Sequence, residues 1–77
     1  MALRELPHNK EAEMSVLGSC FLSTDAATLA LENLSESSFF DTRNAKIFKA
    51  FQNLHEEKTP LDLTTVTTEL TRMNALT

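Results

Sequence analysis

The chain has 77 residues, with one cysteine, one glycine, two prolines and a formal net charge of −4. That length holds one small domain, burying only ~60% of the surface its unfolded chain exposes; a lone thiol excludes an internal disulfide, and seven basic against eleven acidic residues oppose a phosphate-tracking surface, which needs an excess of Lys and Arg. The longest apolar run, Val16 to Leu22, is interrupted by Gly18 and Ser19 and falls far short of the ~20 residues that span a bilayer, while Arg4, Glu5, Pro7 and His8 replace the apolar core of a signal peptide, so a cytoplasmic protein is expected.

Residues 1–8 read as an extended lead-in, because Pro7 cannot occupy a helix interior and biases Leu6 away from the helical region. Residues 9–77 read as one helical domain. Its first helix is predicted from Asn9 to about Ser23. Asn9 is a good cap, and His8 is a second candidate for that task. Glu11 and Glu13 fall where the helix dipole favours negative charge. Ala12, Val16, Leu17, Cys20 and Phe21 recur at three- and four-residue steps and form the expected buried stripe. Gly18 lies inside this helix at a cost of ~1 kcal/mol relative to alanine, for which a close-packed neighbouring helix would account.

Ser23, Thr24 and Asp25 interrupt the pattern and can cap a second helix over Ala26 to Leu34, with Ala27, Ala30, Leu31 and Leu34 on one face. Ser35 to Ser38 reads as a polar turn, with Phe39 and Phe40 as an apolar anchor after it. Asp41 or Thr42 caps a third helix reaching about Glu57. Ile47, Phe48, Phe51 and Leu54 share one face of it, and Arg43, Lys46, Lys49, Asn53 and Glu57 the opposite one. Lys58 to Leu61 connects to a fourth helix capped by Asp62. Its threonines would suit a strand, but Leu63, Val66, Leu70 and Met73 follow a 3-4-3 spacing, which is helical. Asn74 is suited to the left-handed position that ends a helix. The fold class is therefore all-α, a small bundle of about four short helices. Nothing clearly closes its core, which reads as a fragment of a larger polypeptide.

Few residues offer chemistry. The phosphate-cradling pattern Gly-x-x-x-x-Gly-Lys-Ser/Thr needs two glycines, and only Gly18 is present, so no ATPase activity is expected of this stretch. His8 and His55 stand without the further ligands that a zinc site requires, and Cys20 lies on the apolar stripe, where a buried inert thiol is usual. Arg43, Lys46 and Lys49 form a basic strip, read either as a contact for DNA or an acidic partner, or as a solvated helix face. The threonine-rich fourth helix is thinkable as a DNA-reading helix, though Arg72 is its only cation. No catalytic, cofactor-binding or metal-binding residue is assigned.

The order Leu6-Pro7-His8-Asn9, Glu11-Ala12-Glu13, Ser15-Val16-Leu17-Gly18 resembles the opening of the N-terminal domain of DnaB-like replicative DNA helicases. Further along, Phe39-Phe40-Asp41, then Arg43-Asn44 and Ile47-Phe48, look like that family's Asp-Phe-Tyr/Phe turn and the helix after it. Pro60, Asp62, Leu63, Thr65 and Val66 resemble its Pro-Ile-Asp-Leu-x-Thr-Val helix start, and Glu69-Leu70 and Arg72 continue the match, which covers about residues 6 to 76. Met14 stands where the family usually has Gln, and Asn74 where it has Gly.

The resemblance implies the truncated collar domain of a hexameric, ATP-driven helicase, with the C-terminal helices, including a protruding hairpin, missing. It implies partners as well: other protomers of a homo-hexamer, primase and a helicase loader, with DNA passing through the parent ring rather than binding this part. ATP and Mg would belong to a downstream domain of the parent. The alternatives are a stand-alone helical adaptor without a motor, or a small helix-turn-helix DNA-binding protein.

Overall fold

Asn9 opens the fold with its side-chain oxygen, which accepts from the amides of Glu11 (2.8 Å) and Ala12 (3.1 Å). Two of the donors left free by a helix start are thereby satisfied, and helix α1 runs over Lys10–Leu22. The computed structural model describes residues 9–73. The expected lead-in with Leu6, Pro7 and His8, and the expected stop at Asn74, lie outside the described residues.

Ser23 is a one-residue corner. Its amide donates to Ser19 O at 3.0 Å, closing α1, and its hydroxyl accepts from the Ala26 amide at 3.2 Å, opening α2 over Thr24–Asn33. This helix starts two residues before the predicted Ala26, because Ser23 alone does the capping. The expected polar turn is a single 3-10 turn, Glu36–Ser38. Asp41 caps α3 (Thr42–Glu56) by accepting from the amides of Arg43 and Asn44. The end of α3 is set by Lys58, which takes a left-handed backbone conformation with φ 57°. There the Lys58 amide reaches His55 O (3.1 Å) and the Thr59 amide reaches Leu54 O (2.9 Å), a Schellman closure. Asp62 and Thr65 then cap each other reciprocally at the start of α4, Leu63–Arg72.

Helix α3 is the central element, packed against α1, the 3-10 turn and α4, while α2 packs on α1. Phe48, Ala50 and Phe51 of α3 are fully buried. Around them lie Leu17 and Cys20 from α1, Ala27 and Ala30 from α2, Leu34 and Phe39 from the connection, and Val66 and Leu70 from α4. The rings form a chain: Phe39 to Phe48 at 5.0 Å, Phe48 to Phe51 at 6.3 Å, and Phe21 edge-on to Phe51 at 5.3 Å between centroids. Each fully buried aromatic of this kind contributes roughly 1.5–3 kcal/mol. The body measures 31 × 27 × 17 Å.

The structure corrects several expectations. Phe39 is buried but Phe40 is 69% exposed; the backbone is extended at Phe39, and neighbours on an extended chain point to opposite sides. Leu63 is 76% exposed, because it stands at the first helical position, ahead of the turn whose Val66 begins the buried contacts of α4. Asn53 does not decorate a solvated face: its amide nitrogen donates to Glu69 at 2.8 Å and contacts Met73 Sδ at 3.6 Å. Phe21 lies at the edge of the stripe, 38% exposed, with one face of its surroundings open. Gly18 meets no close-packed helix, since a Cβ built there has nothing within 4 Å.

Candidate functional site

Two buried carboxylates are the most conspicuous polar features. Glu13 on α1 has no exposed surface. Its Oε2 accepts from the Phe40 amide at 2.6 Å, and its Oε1 from the Asp41 amide (3.1 Å) and the Asn44 side-chain amide (3.0 Å). Burial pushes this carboxyl's pKa upward, but the bonds from Asn44, Phe40 and Asp41 together outweigh burial and hold it below its ordinary 4.5, as expected for a carboxylate accepting several hydrogen bonds. A general acid or base needs a proton-exchanging atom within reach of a substrate. Glu13 is ionised, enclosed and occupied on both oxygens, so it acts as a brace: α1 grips the residues that lead into and cap α3. Glu13 lies in the first turn of α1, as the dipole argument had it, but that argument carries no information about its burial. The usable signal was its spacing, because Glu13, Leu17 and Cys20 fall on one helical line.

Glu69 on α4 is the second, 4% exposed. It accepts from Asn53 of α3 at 2.8 Å and pairs with Arg72 at 2.8 Å, while Arg72 also reaches Glu57 at 2.8 Å. The hydrogen bonds to Glu57 and then to Glu69 push the Arg72 pKa upward. This cluster ties α4 to the end of α3. It also engages Arg72, the only cation of α4.

Cys20 and His55 come together, though not as a catalytic pair. Both line a cleft of about 300 Å³ between the α1–α2 corner and the α3–α4 connection, with Phe21, Leu31, Pro60 and Leu61. The thiol is 4% exposed and burial raises its pKa, the opposite of what a thiolate nucleophile needs. No hydrogen bond joins the two among the described residues. The same residues contain no group of three His, Cys, Asp or Glu placed to hold a metal ion, and no helix of theirs is long and apolar enough to cross a membrane.

Arg43 and Lys46 are exposed on α3, and Lys49 is half-buried. Stepping by three, they follow one i±3 row along the helix, and none makes an ion pair among the described residues. The rest of the notable surface is apolar. Met14 (55%), Leu22 (89%), Leu29 (50%) and Phe40 (69%) are exposed, and a shallow groove of about 140 Å³ between α1 and α2 is lined by Val16, Ser19, Ala26, Leu29, Ala30 and Leu34. Of the expected motif positions, Asn9, Asp41 and Asp62 are caps, and Ala12, Val16, Leu17, Ile47 and Phe48 are buried or half-buried. Glu11 and Ser15 are exposed on α1, and Pro60 is exposed in the connection.

Comparison with known proteins identifies the family. The family model described as the DnaB-like helicase N terminal domain matches residues 5–77. The replicative DNA helicase DnaC of Bacillus subtilis is 43% identical over 70 residues, covering 91% of this chain and 15% of the relative. The replicative DNA helicase DnaB of Rhodothermus marinus is 40% identical over 70 residues, again 91% of this chain but 7% of the relative. That of Geobacillus stearothermophilus is 41% identical over 64 residues, 83% of this chain and 14% of the relative. No solved structure gives a significant match. The chain thus spans a small part of the helicases it matches, and by its match over nearly its whole length it belongs to the DnaB-like helicase N-terminal domain family.

Proposed function

We propose that this chain is the N-terminal interaction module of a replicative DNA helicase, contributing to ring assembly and to the docking of primase and a loader in DNA replication. It does so by its helix faces, without chemistry of its own. ATP-driven unwinding, with Mg, belongs in this reading to a separate motor domain of the parent protein. The observation that carries the reading is the surface itself: large apolar side chains stand exposed on a body whose buried polar side chains are all hydrogen-bonded among the described residues. Exposed apolar side chains mark interaction sites where they gather into a contiguous patch. The relatives' printed identity as replicative helicases supplies the process in which such a module would work.

The test removes residues 1–77 from the full-length gene product and measures hexamer formation by native mass analysis and primer synthesis by primase on a helicase-loaded template. The expected result is loss of one or both. Unaltered assembly together with an unaltered primase response contradicts the proposal.

A further inference from the structure

Helix α1 packs mainly on α2, and α3 mainly on α4, so the molecule consists of two helical hairpins that meet along α1 and α3. These two helices run in the same direction. Glu13 and Asn44, each in the first turn of its helix, are hydrogen-bonded, and Phe21 near the end of α1 meets Phe51 further along α3. The polar ties between the hairpins are gathered at the starting end. There lie the three bonds to Glu13 and the Lys10–Asp41 ion pair at 4.0 Å, and there the connecting chain enters α3. At the far end no hydrogen bond or ion pair crosses between the hairpins among the described residues. Phe21, 38% exposed, touches Phe51 edge-on at 5.3 Å. Beyond it the cleft of about 300 Å³ separates the Ser23 corner and Thr28 from His55 and Pro60.

We propose that the two hairpins form a jaw: the α1–α2 hairpin swings on the α3–α4 hairpin about the Glu13 bonds, and the cleft beside Cys20 and His55 widens and narrows at its mouth. The costs of motion at the two ends are unequal. Separating the hinge end strips a buried carboxylate of its donors, and an unpaired buried polar group is expensive. Separating the mouth parts one pair of rings and wets a cleft that already opens to solvent. Close-packed interiors transmit strain because their side chains interdigitate, and an open cleft has no such interlock. Hinge motions of packed units take microseconds to milliseconds. The jaw gives this domain two shapes, and access to the cleft and to the buried Cys20 thiol depends on which one is adopted.

The experiment is double electron–electron resonance on the 77-residue chain carrying Cys20→Ala, so that spin labels attach only to introduced cysteines. One pair, Thr24→Cys with His55→Cys, brackets the mouth. The other, Glu11→Cys with Arg43→Cys, brackets the hinge. All four positions are exposed, and circular dichroism verifies that each variant is folded. The hinge pair is expected to give one narrow distance distribution, and the mouth pair a distribution that extends several ångströms to longer distance. Phe21→Ala, which removes the ring contact across the mouth, is expected to enlarge the long-distance population of the mouth pair and to leave the hinge pair unchanged. A mouth distribution as narrow as that of the hinge overturns the inference. So does Phe21→Ala widening both pairs alike, which marks general loosening, or altering neither.

Discussion

Glu13 and Asn44, 31 positions apart in sequence, are joined inside the protein by a 3.0 Å hydrogen bond between carboxylate and side-chain amide. The same carboxylate receives the amides of Phe40 and Asp41, so one α1 side chain fixes the entry to α3. Replacing Glu13 by Ala removes the acceptor of three hydrogen bonds, one buried and two part-buried. At roughly 1–3 kcal/mol for an unsatisfied buried group and less for the part-buried ones, we expect a loss of about 2–4 kcal/mol, measured by urea unfolding. Asn44→Ala leaves two of the three bonds and should cost about 1–2 kcal/mol. Equal, small effects from both variants would contradict the brace.

Acid should act through the same residue. The folded-state pKa of Glu13 lies below its ordinary 4.5, so its contribution to stability is complete above that value and is lost as pH falls through the lower folded value. In Glu13→Gln no such proton is taken up. The stability gap between wild type and Glu13→Gln, read from thermal midpoints, should be largest near neutral pH and narrow below about pH 4.5. A gap that is constant with pH would show that the carboxylate charge is irrelevant.

Glu69 predicts a parallel but smaller effect at the other contact of α3. Removing it in Glu69→Ala leaves the half-buried Asn53 amide only its weak contact with Met73 Sδ, and a loss of about 1 kcal/mol is expected. Asn53→Ala should cost less in the Glu69→Ala background than in wild type, because the shared bond is counted once. Strict additivity in this double-mutant cycle would contradict the coupling.

Lys58 offers a gain. Its φ of 57° is a conformation that costs a residue with a Cβ roughly 1–2 kcal/mol, and glycine is the usual occupant of this position in a Schellman closure. Lys58→Gly should therefore raise stability by up to about 1 kcal/mol, glycine's greater freedom in the unfolded chain offsetting part of the relief. A loss would mean that the Lys58 side chain stabilises the α3–α4 connection by more than its backbone costs.

The helices were legible because local signals agree: Asn9, Asp41 and Asp62 are strong caps, and the three- and four-residue apolar spacing of α1, α3 and α4 survives in the core. The ends were less legible. Thr24 and Asp25 looked like caps and turned out to be helical, because Ser23 reaches Ala26 first. The candidate site was least legible, for a physical reason. Whether Phe40 or Phe39 turns inward, whether Asn53 meets solvent or Glu69, and whether Gly18 faces a neighbour all depend on where a second helix lies, and periodicity within one helix carries no such information. Glu13 is intermediate: its spacing put it on the core line, but its partners are contributed by residues 40, 41 and 44. The family resemblance, by contrast, rested on residue order alone and agrees with the match over residues 5–77.

As proposed, this domain serves a replicative helicase by binding, with catalysis located elsewhere in the same polypeptide. The most direct measurement is to read the gene onward from the codon for Thr77. A downstream domain carrying Gly-x-x-x-x-Gly-Lys-Ser/Thr, the loop that cradles nucleotide phosphates, is expected. A stop codon soon after this domain, or a following domain without that loop, would contradict it and leave a helical adaptor built on the same scaffold.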